Sequence, residues 1–316
     1  MTPTPLSLAL FWVAVGCYTA ALLGFVLYLP IRRRLLADAA LAAVLLGWPF
    51  HGASIVTRAL EAGHWPLGNM YEYSTAIAFV IVTTFAVLAL RARLRLAGIP
   101  AMVGAVALMG VAYMLYVPPG QLVPALHSYW LTIHVTAMAS SSGILVFSFV
   151  FGMFYLARRW ADERLLAGGT GQGGSRVAVM ATTSQGTPIS VGGGATGGSP
   201  PLALARTVTR VLPPARVLDE LSYRFVMLGF PIWSFGVICG AIWGEHAWGR
   251  YWGWDPKETF AFITWVIFAI YLHARVTYGW REKRAAMITA AGFVSILFTL
   301  YAVNLWIAGL HSYARA

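Results

Sequence analysis

The stretch "WGRYWGWDPKET", Trp248–Thr259, lies between two long apolar segments and combines three tryptophans with a tyrosine, an aspartate and a lysine. The flanking segments, residues 224–244 and 259–279, are each long enough to cross a bilayer as a helix, which takes about 20 apolar residues. Aromatic belts are common where a helix leaves the membrane, but a belt needs only about one or two rings at each helix end. The stretch therefore predicts an interfacial loop with a binding role between two membrane helices.

The remainder of the chain repeats this apolar pattern. Of its 316 residues 59% are hydrophobic and 10% are charged, which is too apolar for an ordinary soluble domain. The first apolar run lacks a positive n-region and a small-residue cleavage site, so we interpret it as a membrane span and not as a signal peptide. The sequence predicts an all-α polytopic membrane protein with about eight transmembrane helices. The predicted spans are residues 6–29, 36–57, 72–90, 97–117, 129–156, 224–244, 259–279 and 286–308.

The positive charge is distributed unevenly between the loops. One alternate set of loops carries most of it, at Arg32–Arg34, Arg91–Arg95, Ala157–Arg164 and Arg281–Arg284. The opposite set carries only Arg58, Arg250, Lys257 and Arg315. The positive-inside rule then predicts that both termini and the tryptophan loop face outward. Because the basic residues lie at the ends of apolar runs, the net charge of +11 indicates membrane topology and not nucleic-acid binding.

The composition divides the chain into three parts. Residues 1–165 contain the first five predicted helices, and residues 206–316 contain the last three together with the tryptophan loop, 243–259. Residues 166–205 are rich in Gly, Ser and Thr, and we expect them to form a flexible cytoplasmic linker without a function of its own. The two cysteines lie in separate apolar runs without a C-x-x-C motif, so we expect neither a dithiol redox site nor a haem attachment site in this chain.

Three of the seven histidines stand out by their depth in the predicted helices. His134 lies about one turn into the fifth span from its outer end, and His311 follows the eighth span by about three residues, so the two are at similar depth. His273 lies roughly 14 residues, or about 20 Å, into the seventh span, in the cytoplasmic half. Two neutral imidazoles at one level can ligate a metal from opposite sides. Nearby flat aromatic rings favour haem iron, whereas a zinc site would need four close ligands.

The other histidines and the tryptophan loop are interpreted residue by residue. We interpret His51, His127 and His246 as hydrogen-bonded interfacial side chains. For His64, in "GHWPLGNMYE", the sequence does not decide between this interpretation and a functional role. The rings of the loop are interpreted as a surface for a large flat ligand; they are Trp248, Trp252 and Trp254. Asp255 and Pro256 are predicted to be the N-cap and the first residue of the following helix, so Asp255 is interpreted as structural, with any function shared.

The tryptophan loop, "HSYWLTIHV" (His127–Val135), "YLHAR" (Tyr271–Arg275) and "GLHSYA" (Gly309–Ala314) together resemble the CcsA/ResC family of cytochrome c biogenesis proteins. The family comprises the haem-handling subunits of the System II cytochrome c synthetase. The loop resembles the WWD domain, which the System I haem proteins share, while the eight spans and the order of the histidines favour System II. The resemblance covers the whole chain except residues 166–205, an insert that departs from the compact family pattern.

The resemblance implies a role for each site residue. His134 and His311 would be external ligands of the haem iron, and His273 would be a transmembrane haem ligand whose axial partner belongs to a ResB/CcsB-type subunit. The reaction site would also include Trp248, Trp252, Trp254 and Asp255, of which Trp252 and Trp254 would bind the haem.

The resemblance also implies a substrate, partners and a location. Haem b would be carried across the membrane and attached through thioether bonds to the CxxCH segment of an apocytochrome c. A thiol-reducing, thioredoxin-like protein is an additional candidate partner beside the companion subunit and the lipid bilayer. The location would be the plasma membrane, with the active face on the external or periplasmic side.

Three functions compete on these residues. The first is a holocytochrome c synthase (haem lyase) subunit within a complex, and the second is a haem transporter without lyase activity or a System I-like haem-handling protein. The third is an electron-transfer cytochrome b, which is disfavoured because its histidine pairs would lie on facing helices within the bilayer. The first two differ in whether the complex attaches haem to a C-x-x-C-H acceptor.

Overall fold

The structure is a computed structural model and describes residues 5–91, 94–122, 126–170 and 200–307. Within these ranges the chain forms helices and no β-strand. The helices are α1 (Leu6–Ile31), α2 (Arg34–Ala62), α3 (Met70–Arg91), α4 (Gly98–Met114), α5 (Tyr129–Thr170), α6 (Pro200–Val211), α7 (Ala215–Trp248), α8 (Pro256–Thr277), α9 (Glu282–Leu297) and α10 (Val303–Trp306). A 3₁₀ turn, Arg95–Ala97, precedes α4, and a π-helical turn, Phe298–Ala302, joins α9 to α10.

Eight helical segments of the described chain are long and apolar enough to cross a membrane. They coincide with the eight predicted spans, so the prediction of an all-α, multi-pass membrane protein is confirmed. Several helices extend beyond the apolar runs that predicted them. The helix α7 begins at Ala215 and not near residue 224. Hydropathy did not predict its first turns because they carry polar residues, and the exposed i,i+4 pair Arg224–Glu220, at 3.0 Å, helps to stabilise them.

The boundaries predicted for the linker, residues 166–205, need correction. The helix α5 continues to Thr170, and α6 begins at Pro200, so both ends of the predicted linker are helical. Residues 171–199 lie outside the described part of the chain, so the flexible linker stays a prediction for them. The sequence pattern missed these ends because a helix can continue into water once its apolar part has crossed the bilayer.

Charged side chains stabilise the polar end of α5 and its contact with α6. Two i,i+4 pairs, Arg158–Asp162 at 3.0 Å and Arg159–Glu163 at 2.8 Å, stabilise the polar end of α5. Arg158 also donates from Nη1 to the carbonyl of Leu212 at 2.7 Å, which links the end of α6 to α5. The helix α6 is therefore held against the rest of the molecule by α5.

Small residues allow the membrane helices to pack closely. The pair α5 and α7 is linked by Ser141, whose hydroxyl donates to the carbonyl of Gly229 at 2.8 Å, and by Ser222, which donates to the carbonyl of Ser148 at 2.8 Å. A Cβ atom on Gly229 would approach Leu145 Cγ to 2.6 Å, so only glycine permits this contact. Small residues and interhelical hydrogen bonds are the usual means of helix association in lipid, where no hydrophobic effect drives it.

Alternation of the spans brings the loops together at two opposite ends. The α2–α3, α4–α5 and α7–α8 connections and the end of α9 meet at one end, which we call the cavity end. The α1–α2, α3–α4 and α8–α9 connections meet at the other, which we call the arginine end. There Arg275 forms a two-pronged ion pair with Asp219, at 3.0 and 2.7 Å, and this pair fixes α8 against α7.

Candidate functional site

A large cavity lies at the cavity end of the bundle. Its empty volume, counted together with the solvent-filled mouth, is about 1160 Å³. The start of α3, the helices α5 and α7, the tryptophan loop, the start of α8 and the π-helical turn form its wall. The wall is mostly apolar and aromatic with a few polar side chains, which is typical of a site for a large organic ligand.

His134 of α5 is the imidazole in this wall. Its Nδ1 lies 2.7 Å from the carbonyl oxygen of Gly236 on α7. A carbonyl oxygen only accepts, so Nδ1 carries the proton in this bond, and Nε2 keeps a free lone pair. A Cβ atom on Gly240 would lie 2.7 Å from both Cε1 and Nδ1 of the ring. The ring is thus fixed against the backbone of α7, with the nitrogen that binds metals left available.

The aromatic part of the wall differs from the predicted surface. Trp252 lines the cavity, together with Trp233 and Trp243 of α7. Trp254 is 67% exposed, and its ring is perpendicular to that of Trp252, at 88° and a centroid distance of 5.7 Å. Trp248 packs edge-on against Trp243 at 4.7 Å and supports the wall from behind. The three loop tryptophans therefore do not form one flat surface, and of the three Trp252 is the one in the wall.

The backbone of the loop explains this arrangement. Gly249 ends α7 in the left-handed region with φ 70°, and its N–H donates to the carbonyl of Glu245 at 2.8 Å. Trp254 also has a positive φ, of 58°, which turns the chain sharply just before Asp255. A Cβ atom on Gly253 would lie 2.3 Å from Arg250 Cζ, so the arginine side chain folds back over the loop. The spacing of the rings in sequence therefore does not give their directions in space.

The end of the loop is a capping box. Asp255 is buried, and its Oδ1 accepts from the N–H of Lys257 at 3.1 Å. Glu258 reaches back with Oε2 to the N–H groups of Gly253 at 2.8 Å and Asp255 at 3.2 Å. The prediction that Asp255 caps α8 and that Pro256 begins it is confirmed. The carboxyl group of Asp255 has a structural task and is not part of the cavity wall.

Lys257 and Asn304 meet across the cavity wall. The Lys257 ammonium donates from Nζ to Asn304 Oδ1 at 2.9 Å. The amide nitrogen of Asn304 donates to the carbonyl of Leu300 at 2.6 Å, within the π-helical turn. This bond joins the first turn of α8 to the segment that follows α9.

The opposite wall, residues 67–70, is fixed by a buried ion pair. Glu72 accepts from Arg58 Nε at 2.9 Å and from the N–H of Gly68 at 2.9 Å. Asn69 caps α3 by accepting from the N–H of Glu72 at 3.0 Å. Both charged side chains are almost inaccessible, at 3% and 1%, so loss of one would leave the other charge buried without compensation.

Two of the other histidines are held by backbone carbonyls. The Nδ1 atom of His64 lies 2.9 Å from the carbonyl oxygen of Trp65, and its Nε2 atom lies 3.0 Å from that of Gly120. His64 is not part of the cavity wall. His246 Nδ1 lies 2.8 Å from the carbonyl of Ile242 in its own helix, as predicted for a hydrogen-bonded side chain. Both are therefore engaged by hydrogen bonds outside the cavity.

The other two histidines differ from each other in exposure. His127 is exposed before α5. His51 is buried inside the bundle and not interfacial, and its Nδ1 lies 3.2 Å from the Tyr18 hydroxyl.

The other two predicted haem ligands, His273 and His311, are not among the described residues of the cavity wall. His273 lies near the arginine end of α8, roughly 25 Å along the helix from Pro256. Its ring is exposed on the outer surface and contacts Tyr278 edge-on at 5.8 Å. His311 lies outside the described residues. Among the residues that are described, no group of three or more His, Cys, Asp or Glu side chains could hold a bare metal ion.

Sequence reasoning assigned no role to several polar residues of the wall. The chain has two asparagines, Asn69 and Asn304, and both line the cavity. It also has two lysines, of which Lys257 lines the cavity and Lys283 is exposed at the arginine end. A rare polar residue at the end of an apolar run was the signal that could have identified them.

The fold and the cavity together define a class, a multi-pass all-α membrane protein with a ligand-sized cavity at one end. Residues 67–311 match the family of cytochrome c assembly proteins. The chain is 38% identical over 275 residues to the cytochrome c biogenesis protein CcsA of Gloeobacter violaceus, covering 82% of this chain and 81% of the relative. It is 38% identical over 274 residues to CcsA of Microcystis aeruginosa, covering 83% of each. The chain belongs to the CcsA family of cytochrome c biogenesis proteins, and its function is in cytochrome c biogenesis.

Proposed function

We propose that the cavity binds haem b as a substrate and presents it for thioether attachment to the CxxCH segment of an apocytochrome c. The protein is then a haem lyase (holocytochrome c synthase) subunit of the System II type. The observation that carries this proposal is the free Nε2 of His134 in an aromatic wall, with Nδ1 held by Gly236. Imidazole nitrogen is a common axial ligand of haem iron, and the second ring nitrogen is usually hydrogen-bonded.

The shape and composition of the cavity support a porphyrin. A porphyrin is broad, flat and apolar, and the wall supplies indole and aliphatic side chains for stacking and burial. A porphyrin also brings four nitrogen ligands to its iron. A single histidine in the described wall is therefore enough to bind haem iron. A bare metal ion would need several protein ligands, and the described residues offer no group of three or more.

His311 is the proposed second ligand. Asn304 lines the cavity, and His311 follows it closely in sequence, within a span of at most about 23 Å of extended chain. Sequence depth and family resemblance support this assignment, and the described contacts do not test it.

The proposed reaction is an addition. Each cysteine thiol of the acceptor adds its sulfur to one carbon of a haem vinyl group and its hydrogen to the other, so the step needs no external oxidant or reductant. The protein contributes orientation, because each thiol must meet the proper vinyl group. The neutral His134 ligand can be exchanged for the histidine of the CxxCH segment, which lets the product leave.

The position of His273 supports an entry site at the other end. Its ring is exposed on the outer face of α8 and makes no hydrogen bond within the described chain, so a ResB/CcsB-type subunit could supply the opposite ligand. The charge distribution supports an arginine end in the cytoplasm and a cavity end outside the plasma membrane. Haem would then move from the inner to the outer histidines, and a thioredoxin-like protein would keep the acceptor thiols reduced.

The test is histidine replacement with chemical rescue in cells that express an apocytochrome c. His134→Gly and His311→Gly are each expected to abolish holocytochrome formation. Added imidazole is expected to restore part of it, because a free base can enter the space left by the side chain. His246→Gly, which removes an exposed histidine bonded to its own helix, is the matched control and should assemble cytochrome normally.

Two outcomes would decide against parts of the proposal. Normal holocytochrome levels in a His134→Gly protein that accumulates normally would overturn the ligand assignment. Haem binding by the purified complex without attachment to a CxxCH peptide would favour the transporter over the lyase.

A further inference from the structure

We infer that Lys257 binds a carboxylate of the substrate and so fixes which edge of the haem faces into the protein. The inference rests on the proposed function and adds a positioning group to it. Among the ion pairs between described side chains, none includes Lys257, although it lines the cavity. Haem carries two propionate groups on one edge of an otherwise apolar ring, and a cation in the wall would offset the cost of burying these charges.

The local geometry makes Lys257 suitable for this role. Its backbone N–H is held by Asp255 Oδ1 at 3.1 Å, so the start of its side chain has a defined position in the first turn of α8. Its ammonium uses one donor on Asn304 Oδ1, at 2.9 Å, and an ammonium has three. The remaining donors can reach a carboxylate in the cavity.

Electrostatics favour an anionic ligand at this point. The side chain of Lys257 is half-buried, and its hydrogen-bond partner Asn304 is a neutral acceptor. The Asp255 carboxylate attracts the ammonium from beyond ion-pair distance, so the charge is compensated only in part. Glu258 is also in the wall, but its Oε2 already accepts from two backbone N–H groups of the capping box. A carboxylate from the ligand would give Lys257 a charge-assisted hydrogen bond, which is stronger than its bond to an amide.

Asn304 acts as a positioning residue for this cation. Its amide nitrogen donates to the carbonyls of Leu300 at 2.6 Å and Thr299 at 3.4 Å, so its Oδ1 is the atom turned to Lys257. These bonds belong to the π-helical turn Phe298–Ala302, a rare backbone form that is frequent at functional sites. The turn thus holds the lysine toward the cavity.

The consequence concerns the orientation of the substrate. The propionates and the vinyl groups lie on different edges of the porphyrin. A contact from Lys257 to the propionate edge therefore leaves the vinyl edge turned away from the start of α8, where an acceptor can reach it. Such a contact fixes which edge of the porphyrin is presented to the acceptor. It does not fix which face of the ring is presented, and the iron ligands would have to determine that.

The experiment compares haem with haem dimethyl ester, in which both propionates are neutral. The full chain in nanodiscs, with His273→Ala to remove the inner ligand, is titrated with each ferrous compound while the Soret band is followed. We expect haem to bind at least about tenfold more tightly than the ester, the usual scale for a hydrogen bond to a charged group. Lys257→Gln should reduce that preference to about onefold by weakening haem alone.

Two further variants keep the test independent of folding effects. Asn304→Asp keeps Lys257 but places a carboxylate beside its ammonium. Because this carboxylate neutralises the lysine, the variant should also abolish the preference for haem over the ester. Lys283→Gln removes the other lysine of the chain, which is exposed at the arginine end, and should keep the preference.

Failure of this inference is distinguishable from failure of the proposed function. Equal affinities for haem and ester in the parent protein, with a histidine-ligated spectrum in both, would overturn the role of Lys257 and leave the haem site intact. An unchanged preference in both Lys257→Gln and Asn304→Asp would overturn it as well. Absence of a histidine-ligated spectrum with either compound would overturn the haem site and the inference together.

Discussion

The ring of His134 lies against the backbone of two glycines of α7. The carbonyl of Gly236 orients the ring through Nδ1, and the missing side chain of Gly240 leaves the space in which the ring lies. A ligand that depends on a hydrogen bond to its other nitrogen is sensitive to small displacements. The glycines of α7 are therefore part of the proposed haem site although they carry no functional group.

Gly240→Ala tests this dependence. A Cβ atom at this position would lie 2.7 Å from the His134 ring, so the ring must move and its bond to Gly236 must weaken. We expect haem occupancy of the purified protein to fall about 10–100-fold, the usual effect of losing the hydrogen bond behind a metal ligand. Gly110→Ala in α4 is the matched control, because nothing lies within 4 Å of its new Cβ atom. Equal occupancy in the two variants would show that the ring tolerates displacement.

The ligand roles of His134 and His273 stay predictions. Prediction from sequence did single out His134, which lines the cavity, because an ionisable group in an apolar run is costly and therefore stands out. It failed for Trp254, because the positive φ of 58° that turns this ring outward comes from the fold of the loop and not from ring spacing. It also assigned no role to Asn304, since an uncharged amide carries little signal until its partner Lys257 is known.

The start of α8 is the element on which the site depends. The capping box formed by Asp255 and Glu258 ends the tryptophan loop and starts the helix that carries Lys257. Two carboxylates in the first turn also match the positive end of the helix dipole. The loop thus combines two parts, Trp252 in the wall and a helix cap that fixes the backbone beside it.

Substitution of Asp255 separates a capping role from a catalytic one. Asp255→Asn keeps an oxygen that can accept from the N–H of Lys257, and asparagine caps helices as well as aspartate does. We expect it to retain thermal stability in detergent, whereas Asp255→Ala should lose about 1 kcal/mol of stability. Equal thermal midpoints for Asp255→Ala and the parent would contradict the cap. Loss of cytochrome assembly in a stable Asp255→Asn protein would instead indicate that the negative charge itself takes part in the reaction.

The helices were predictable because the apolar runs are long and separated by charged loops. All eight spans follow from that pattern alone. The polar end of α5 and the short helix α6 were not predictable in the same way, because their stability comes from ion pairs and from contacts between the two helices. Hydropathy reports what lies in the bilayer and is silent about helices that continue beyond it.

The whole molecule separates its two proposed haem positions. The cavity with His134 lies at one end and inside the bundle, whereas His273 lies toward the other end and on the outer surface. The two positions therefore differ in depth and in what can complete them. In the proposed function a partner subunit completes the inner position, and His311 completes the outer one.

The orientation of the molecule in the membrane is testable directly. Alternate loops differ strongly in positive charge, which predicts a cytoplasmic arginine end and an external C-terminus. A reporter that is active only in the cytoplasm should be inactive when fused after Ala316 and active when inserted within residues 171–199. The reverse pattern would place the cavity on the cytoplasmic side and remove the basis for an external attachment site.

The central claim is that His134 ligates haem iron in the cavity. Its most direct measurement is the pyridine haemochrome content and the low-temperature magnetic circular dichroism of the purified chain that carries His273→Ala. We expect haem b with a histidine ligand, loss of that ligand on addition of His134→Gly, and return of its spectrum with imidazole. The same haem content and the same spectrum with and without His134 would show that His134 does not ligate the iron.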